Sequence, residues 1–338
     1  MFSLNLFTIS SSLALMITHR QSTTIAAVIG TLNHPPVTGP ITQHFNEWLE
    51  NNGYGMDHFP RLDYGTQGSF GGRTSEDQQI SKIPIIFIHG NSDSGLKTTN
   101  YATGWSSSIS YFQQEGYTSA ELYTTSWEDN EGKNAPTRSH NCANIGRLRR
   151  FIEAVKEYTE ADEVSVIAHS MGVTMARKAI IGGHLRVPQG SCNLGSPLSY
   201  VNTFINLAGA NYGICWCVGQ SEKYAGCSKN NGLWPGDSCG TNPNAYCGNT
   251  TQEVACLPNY SSFLGDLNSD TTPLAKHILS AWSEADELIN YKDMAWGRPT
   301  SLMPRGSESK IYTAFKHMET KDLTTDDQYD YITKHTLV

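Results

Sequence analysis

The arrangement small-x-Ser-x-Gly occurs twice in this chain, as Ala168-His169-Ser170-Met171-Gly172 and as Gly236-Asp237-Ser238-Cys239-Gly240. A serine so flanked becomes a candidate nucleophile when a sharp strand-to-helix turn lifts it clear of the backbone. The small residues two positions away then let that turn pack against its neighbours. In a chain with 30 glycines the pattern alone is weak, and its surroundings decide. Ser170 follows the apolar, β-branched run Val164-Ser165-Val166-Ile167 and opens an amphipathic stretch, the context such a turn requires. Ser238 follows Leu233-Trp234-Pro235, has no strand before it, and adjoins a cysteine expected to be oxidised. Ser170 is the expected nucleophile, and Ser238 an ordinary turn serine.

A serine hydroxyl attacks an acyl carbon only when a base takes its proton, so a histidine oriented by a carboxylate is needed. For a nucleophile on a strand-to-helix turn the chain order is serine, acid, histidine, with the last two following later strands. Ser283-Glu284-Ala285-Asp286-Glu287 follows a strand candidate ending at Trp282, and only His317 and His335 of the eleven histidines lie beyond it. His317 comes just after a strand candidate, whereas His335 lies three residues before position 338, on an expected helix. Asp286 is preferred over Glu284, Glu287 and Asp293 by register alone. Two backbone amides must meet the oxyanion of the tetrahedral intermediate. Met171, at the helix start, is one expected donor. Asn91, in the loop His89-Gly90-Asn91 after the first core strand, is the other. His89 itself is expected to be a packed loop residue.

These residues need a scaffold, and the hydrophobic pattern supplies one. Ile83 to Ile88 is short, apolar and β-branched, as a buried parallel strand should be. Ser119 to Trp127 is a second strand candidate, and Asn144 to Tyr158 has Ile145, Leu148, Phe151, Ile152 and Val155 at helical spacing. The alternation continues with a strand at Glu163 to Ile167, a helix at Met171 to Ile181, and strands at Val201 to Leu207, Ile278 to Trp282 and Ile311 to Phe315. It predicts an α/β fold with a mostly parallel central sheet flanked by helices. A cysteine-rich stretch, about 211–273, interrupts it and is expected as a disulfide-rich insertion above the carboxyl edge of the sheet, where ligands bind in such folds.

Composition bounds the rest. With 338 residues, 38% hydrophobic and 17% charged, the chain can bury a large core, which excludes a disordered or collagen-like protein. A net charge of −8 without a basic stripe gives no basis for a nucleic-acid partner. Residues 1–30 have the short apolar stretch of a secretory signal peptide, although without the usual basic start, and 31–338 are expected as one catalytic domain. No later stretch is long and apolar enough to span a bilayer. Six of the eight cysteines (Cys215, Cys217, Cys227, Cys239, Cys247, Cys256) lie among Gly, Asn, Pro and Trp. Their spacings do not suit zinc, so disulfides and a secreted location are expected. Cys142 and Cys192 are expected to pair with each other. Asn249-Thr250-Thr251 and Asn259-Tyr260-Ser261 are glycosylation sequons.

In combination these residues resemble the secreted class 2 lipases, particularly the nematode group, and more distantly the small Bacillus-type lipases. The alanine-first serine pentapeptide and His89-Gly90 carry the second likeness. Phe59-Pro60-Arg61, Ser69-Phe70-Gly71-Gly72, Ala208-Gly209-Ala210-Asn211-Tyr212-Gly213 and His317-Met318-Glu319-Thr320-Lys321 carry the first. The resemblance spans roughly 40–325 and implies an α/β-hydrolase fold, hydrolysis of carboxylic esters, an acylglycerol substrate class, and the triad Ser170, Asp286 and His317. The chain departs from the bacterial relatives in its long cysteine-rich insertion and in the polar Asn91.

The expectation is therefore a secreted serine hydrolase, in the first place a triacylglycerol lipase acting at a lipid–water interface, with no metal or organic cofactor. Trp216, Leu233 and Trp234 stand equally as lipid contacts or as packing for the disulfides. A carboxylesterase, phospholipase or acyltransferase would use the same chemistry on another substrate. A catalytically silent lipid-binding protein is the alternative of another class.

Overall fold

The structure is a computed structural model that describes residues 36–239, 260–296, 298–306 and 308–337. The signal-like segment, Cys247, Cys256, and the asparagines of both sequons lie outside the described residues. Eleven strands are present among the described residues: β1 (Ser69–Phe70), β2 (Ile85–Ile88), β3 (Leu122–Thr125), β4 (Val164–His169), β5 (His184–Val187), β6 (Gly190–Asn193), β7 (Val201–Leu207), β8 (His277–Ser283), β9 (Met294–Ala295), β10 (Arg298–Pro299) and β11 (Glu308–Tyr312). Seven of them form the central sheet in the order β1-β3-β2-β4-β7-β8-β11. Every pairing in it is parallel except that of the two-residue edge strand β1 with β3.

Alternation along the strands decides the layering, because successive side chains point to opposite faces. Ile86, Ile88, Val164, Val166 and Phe204 pack with residues of α1 (Gln43–Asn51), α3 (Cys142–Thr159), α4 (Met171–Ile181) and α5 (Ser262–Ser269). Ile85, Phe87, Ile167, Ile205 and Leu279 pack on the other side with α2 (Ser106–Gln114) and α7 (Thr325–Lys334). Both faces are covered, which is why these strands are continuous apolar runs. The result is the helix-flanked, mostly parallel sheet of an α/β-hydrolase.

The chain proceeds outward from β2 to β3 and returns to β4, from which β7, β8 and β11 extend the other way. Strand order thus reverses between β2 and β4, and a cleft opens beyond the carboxyl ends of strands at such a reversal. The segment carrying His89-Gly90-Asn91 and the one carrying Ser170 both leave the sheet there.

The last sheet strand differs from expectation: β11 runs over Glu308–Tyr312, three residues earlier than the apolar Ile311–Phe315 suggests. It is an edge strand whose register against β8 pairs Glu308 with Leu279 and Tyr312 with Ser283, so pairing, and not burial, sets its limits. The periodicity also leaves unmarked α1, α2 and the exposed antiparallel hairpin β5–β6.

Most of the insertion's buried residues share the main core, apart from a small cluster of Tyr212, Cys239 and Ala295. Cys217, Cys227, Leu233, Phe263, Leu264 and Leu267 join the same cluster as the sheet and α4. Disulfides Cys215–Cys239 and Cys217–Cys227 close it locally, and Cys142–Cys192 joins α3 to β6. Buried Arg177 of α4 donates to Asn211 Oδ1 (2.7 Å) and Asn268 Oδ1 (3.0 Å), so the insertion is bonded to the helix that begins at Met171. Leu233 and Trp234 are buried; of the three residues weighed as lipid contacts only Trp216 is exposed.

Candidate active site

Ser170 joins β4 to α4 with φ 54° and ψ −132°. Side-chain-bearing residues rarely adopt this conformation, and surrounding structure must enforce it. Its amide donates to the Leu207 carbonyl of β7 at 2.9 Å. A Cβ on Gly172 would run into the His89 carbonyl oxygen, and one on Gly90 would lie 2.7 Å from the Ser170 Cβ. The two glycines are therefore what allows the β2 loop and the serine turn to touch. Ala168 is fully buried between β2 and β7. Ser238, by contrast, is buried beside the Cys215–Cys239 bridge and lies on neither a strand nor a helix.

His317 lies in the segment between β11 and α6 (Glu319–Asp322). Its Nδ1 donates to Asp286 Oδ2 at 2.6 Å, both side chains being almost wholly buried. Asp286 Oδ1 accepts the amides of Leu288 (2.9 Å) and Ile289 (2.8 Å). Burial pushes this carboxyl up, but His317 and the two amides outweigh it and hold it below the ordinary carboxylate range. The bond also fixes the imidazole tautomer, leaving Nε2 as the basic nitrogen. His169, next to Ser170, donates from Nε2 to the His317 carbonyl (3.1 Å), and the two rings lie 4.6 Å apart. The acid, the histidine and the serine turn thus meet at one end of the sheet.

The competing acids are placed elsewhere or otherwise used. Glu287 Oε2 accepts the His317 backbone amide at 2.9 Å and so holds the main chain of that residue. Asp293 is buried and bonded to the Ser301 amide and hydroxyl, and burial pushes its carboxyl up to about 8. Glu284 is exposed. His335 caps α7 and stacks on His277, at the opposite end of β8 from Asp286.

The β2 loop is held by groups that the sequence pattern does not single out. The His89 ring stacks on Trp127, donates from Nδ1 to the Gly90 carbonyl (2.7 Å) and accepts the Trp127 amide at Nε2 (3.1 Å). Burial lowers its pKa to about 4, so it is a neutral, packed histidine. The Asn91 side chain is turned into the protein: Nδ2 donates to the Ala135 carbonyl (2.9 Å), and Oδ1 accepts from Arg138 (2.8 Å). Arg138 also donates to Ser92 Oγ (2.6 Å) and pairs with buried Glu128, which accepts the Ser92 amide. Burial pushes the Glu128 carboxyl up to about 8 against the pull of Arg138. A pair separated in sequence by ten residues and joined through a loop forty residues upstream has no periodic signature. Among the described residues, no group of three or more His, Cys, Asp or Glu is placed to hold a metal ion.

The family described as Lipase (class 2) matches residues 82–330. No curated protein sequence matches. Among solved structures the chain is similar to Aspergillus fumigatus lipase B, at 11% identity and TM-score 0.45. That alignment covers 80% of this chain and 57% of the other, so the chain spans little more than half the length of that protein. It is also similar to Paleococcus ferrophilus monoacylglycerol lipase (10% identity, TM-score 0.41, 80% and 98% covered). A third similarity is to the mouse alpha/beta hydrolase domain-containing protein 10 (13%, 0.39, 79% and 93%).

Proposed function

Because this chain belongs to the class 2 lipase family and so to the lipase and esterase hydrolases, we propose that it is a secreted triacylglycerol lipase working through Ser170, His317 and Asp286. The observation that carries the reading is the buried 2.6 Å bond from His317 to Asp286 beside the strained Ser170 turn. His317 Nε2 takes the Ser170 proton as Oγ attacks the ester carbonyl carbon. The oxyanion is met by the amides of Asn91 and Met171, and Asp286 stabilises the imidazolium without itself taking the proton. Collapse breaks the bond to the alcohol, which leaves with the proton from His317. Water then repeats the sequence on the acyl-enzyme and releases the fatty acid.

Tyr101, Trp216, Leu288 and Leu323 support a lipid-facing site. All four are exposed, and they lie in the segments that follow β2, β7, β8 and β11 at the carboxyl edge. An acidic chain gains little from anionic surfaces, so apolar side chains of this kind would meet the lipid. Secretion is supported by three disulfides, which persist in oxidising compartments. No helix among the described residues is long and apolar enough to cross a membrane. In this reading 1–30 is a signal peptide, 31–338 the catalytic domain, and 211–273 its insertion.

The test is hydrolysis of a long-chain triacylglycerol emulsion and of a dissolved short-chain ester by the oxidatively folded protein, beside Ser170→Ala. Activity on the emulsion that is lost in the variant is expected. Activity confined to the dissolved ester would replace lipase by esterase. Inactivity on both, with Ser170 inert to a fluorophosphonate, would favour a silent lipid-binding protein.

A further inference from the structure

Four residues beyond His317, Lys321 is a lysine with no solvent exposure. Lysine is almost never fully buried without partners, since its ammonium loses its hydration. Here Nζ donates to Asp93 Oδ2 (3.0 Å), to Thr103 Oγ1 (2.9 Å) and to the Gly104 carbonyl, and lies 5.2 Å from the centre of the buried Trp105 ring. Asp93 is itself 2% exposed, and its other oxygen accepts the Gly104 amide at 2.8 Å. The ammonium thus fastens two stretches of the β2–α2 connection to a segment more than 200 residues further along the chain.

Two of these segments carry groups assigned above to the reaction. Asp93 is two residues past Asn91 in a turn closed by its own amide on the Gly90 carbonyl (3.3 Å). Lys321 is separated from His317 by a turn in which the amides of Thr320 and Lys321 bond the carbonyls of Lys316 (2.9 Å) and Met318 (3.1 Å). Each connection is short and internally bonded, so a shift at either end of the ion pair moves the attached group. Packing alone would be served as well by an apolar pair, because a buried ion pair repays little of its desolvation; what it adds is a defined register between the parts it joins.

We propose that Lys321 is a positioning residue: its contact with Asp93 sets the Asn91 amide and the His317 imidazole at a fixed separation around the reacting carbonyl. The inference rests on the assignment of His317 and Asn91 made above. Misplacement of reacting groups by about 1 Å can cost on the order of 10²-fold in rate while leaving substrate binding nearly untouched.

The experiment compares wild type with Lys321→Met/Asp93→Leu, which removes both charges together, and with Asp93→Asn, which retains an acceptor for the Gly104 amide. Michaelis parameters on dissolved p-nitrophenyl butyrate are measured beside thermal melts. In the double variant kcat should fall about 10- to 100-fold, with KM within about twofold and a melting temperature close to wild type. A smaller fall in kcat is expected for Asp93→Asn, and ethylammonium should partly restore kcat in Lys321→Ala. Wild-type kcat in either folded variant, or a loss confined to KM, overturns the inference. If the double variant does not fold, Asp93→Asn decides. An inactive wild type would instead take down the functional reading and this inference with it.

Discussion

The two serine pentapeptides share a pattern and little else. Around Ser170 the backbone is forced into a positive φ between a buried strand and a buried helix, with glycines admitting the β2 loop to van der Waals contact. Around Ser238 the same residue types lie beside a disulfide, in a small cluster with Tyr212 and Ala295, with no strand before and, among the described residues, no carboxylate-bound histidine bonded to the segment. A nucleophile is therefore a property of the elements that strain and present the serine. The pentapeptide only permits it.

That contrast breaks most directly by removing each hydroxyl. Ser170→Ala should lower ester hydrolysis by about 10⁴-fold or more, and Ser238→Ala should change it by less than about twofold. Comparable losses, measured as kcat/KM on a dissolved ester, would erase the distinction. The next largest effect sharpens the claim that presentation includes the acid. Asp286→Asn should cut kcat by about 10³-fold with little change in melting temperature, whereas Asp293→Asn should act on stability.

The third prediction concerns the Ser238 side alone. Cys215→Ser/Cys239→Ser opens a loop of 24 residues, for which chain entropy gives up to about 3.5 kcal/mol of stability. Thermal melts should record that loss, while fluorophosphonate labelling of Ser170 at low temperature stays within a few-fold of wild type. Lost labelling in a folded variant would mean that the insertion helps to shape the site.

The smallest effect addresses the joint between the two regions. His140 lies fully buried there, stacked on Phe263 of the insertion, accepting from Thr174 of α4 and donating to the Asn231 carbonyl. Burial lowers its pKa from 6.5 to about 4. The unfolded chain takes up this proton below about pH 6.5 and the folded one does not until about pH 4. Its contribution is thus intact above the window and lost on acidification through it, by up to about 3 kcal/mol. The stability lead of wild type over His140→Gln should accordingly shrink from pH 7 to pH 4. A constant difference across that range would show that His140 is not held neutral.

Much of this architecture was legible from residue order because its signals are local. The β-branched runs of β2, β4 and β7 and the helical spacing of α3 repeat every few residues, and the small residues Ala168 and Gly172 around Ser170 announce a tight turn. The limits of β11 were not legible, since an edge strand takes its ends from its partner and not from its own apolarity. Nor was the clamp of Arg138 and Glu128 on the Asn91 loop.

The sequence by itself determined the alternation of strands and helices, the shortlist of acids after β8 and the two histidines beyond it; the disulfide between Cys142 and Cys192 was an expectation that the fold had to close. Only the tertiary structure decided that the Asp286 carboxylate meets the His317 ring while Glu287 bonds its backbone, that Leu233 and Trp234 are buried, and that Lys321 lies against Asp93. The physical reason is range. Periodicity and turn chemistry act over a few residues and are written along the chain. A hydrogen bond between residues 228 positions apart exists only once the sheet has brought their loops to the same edge.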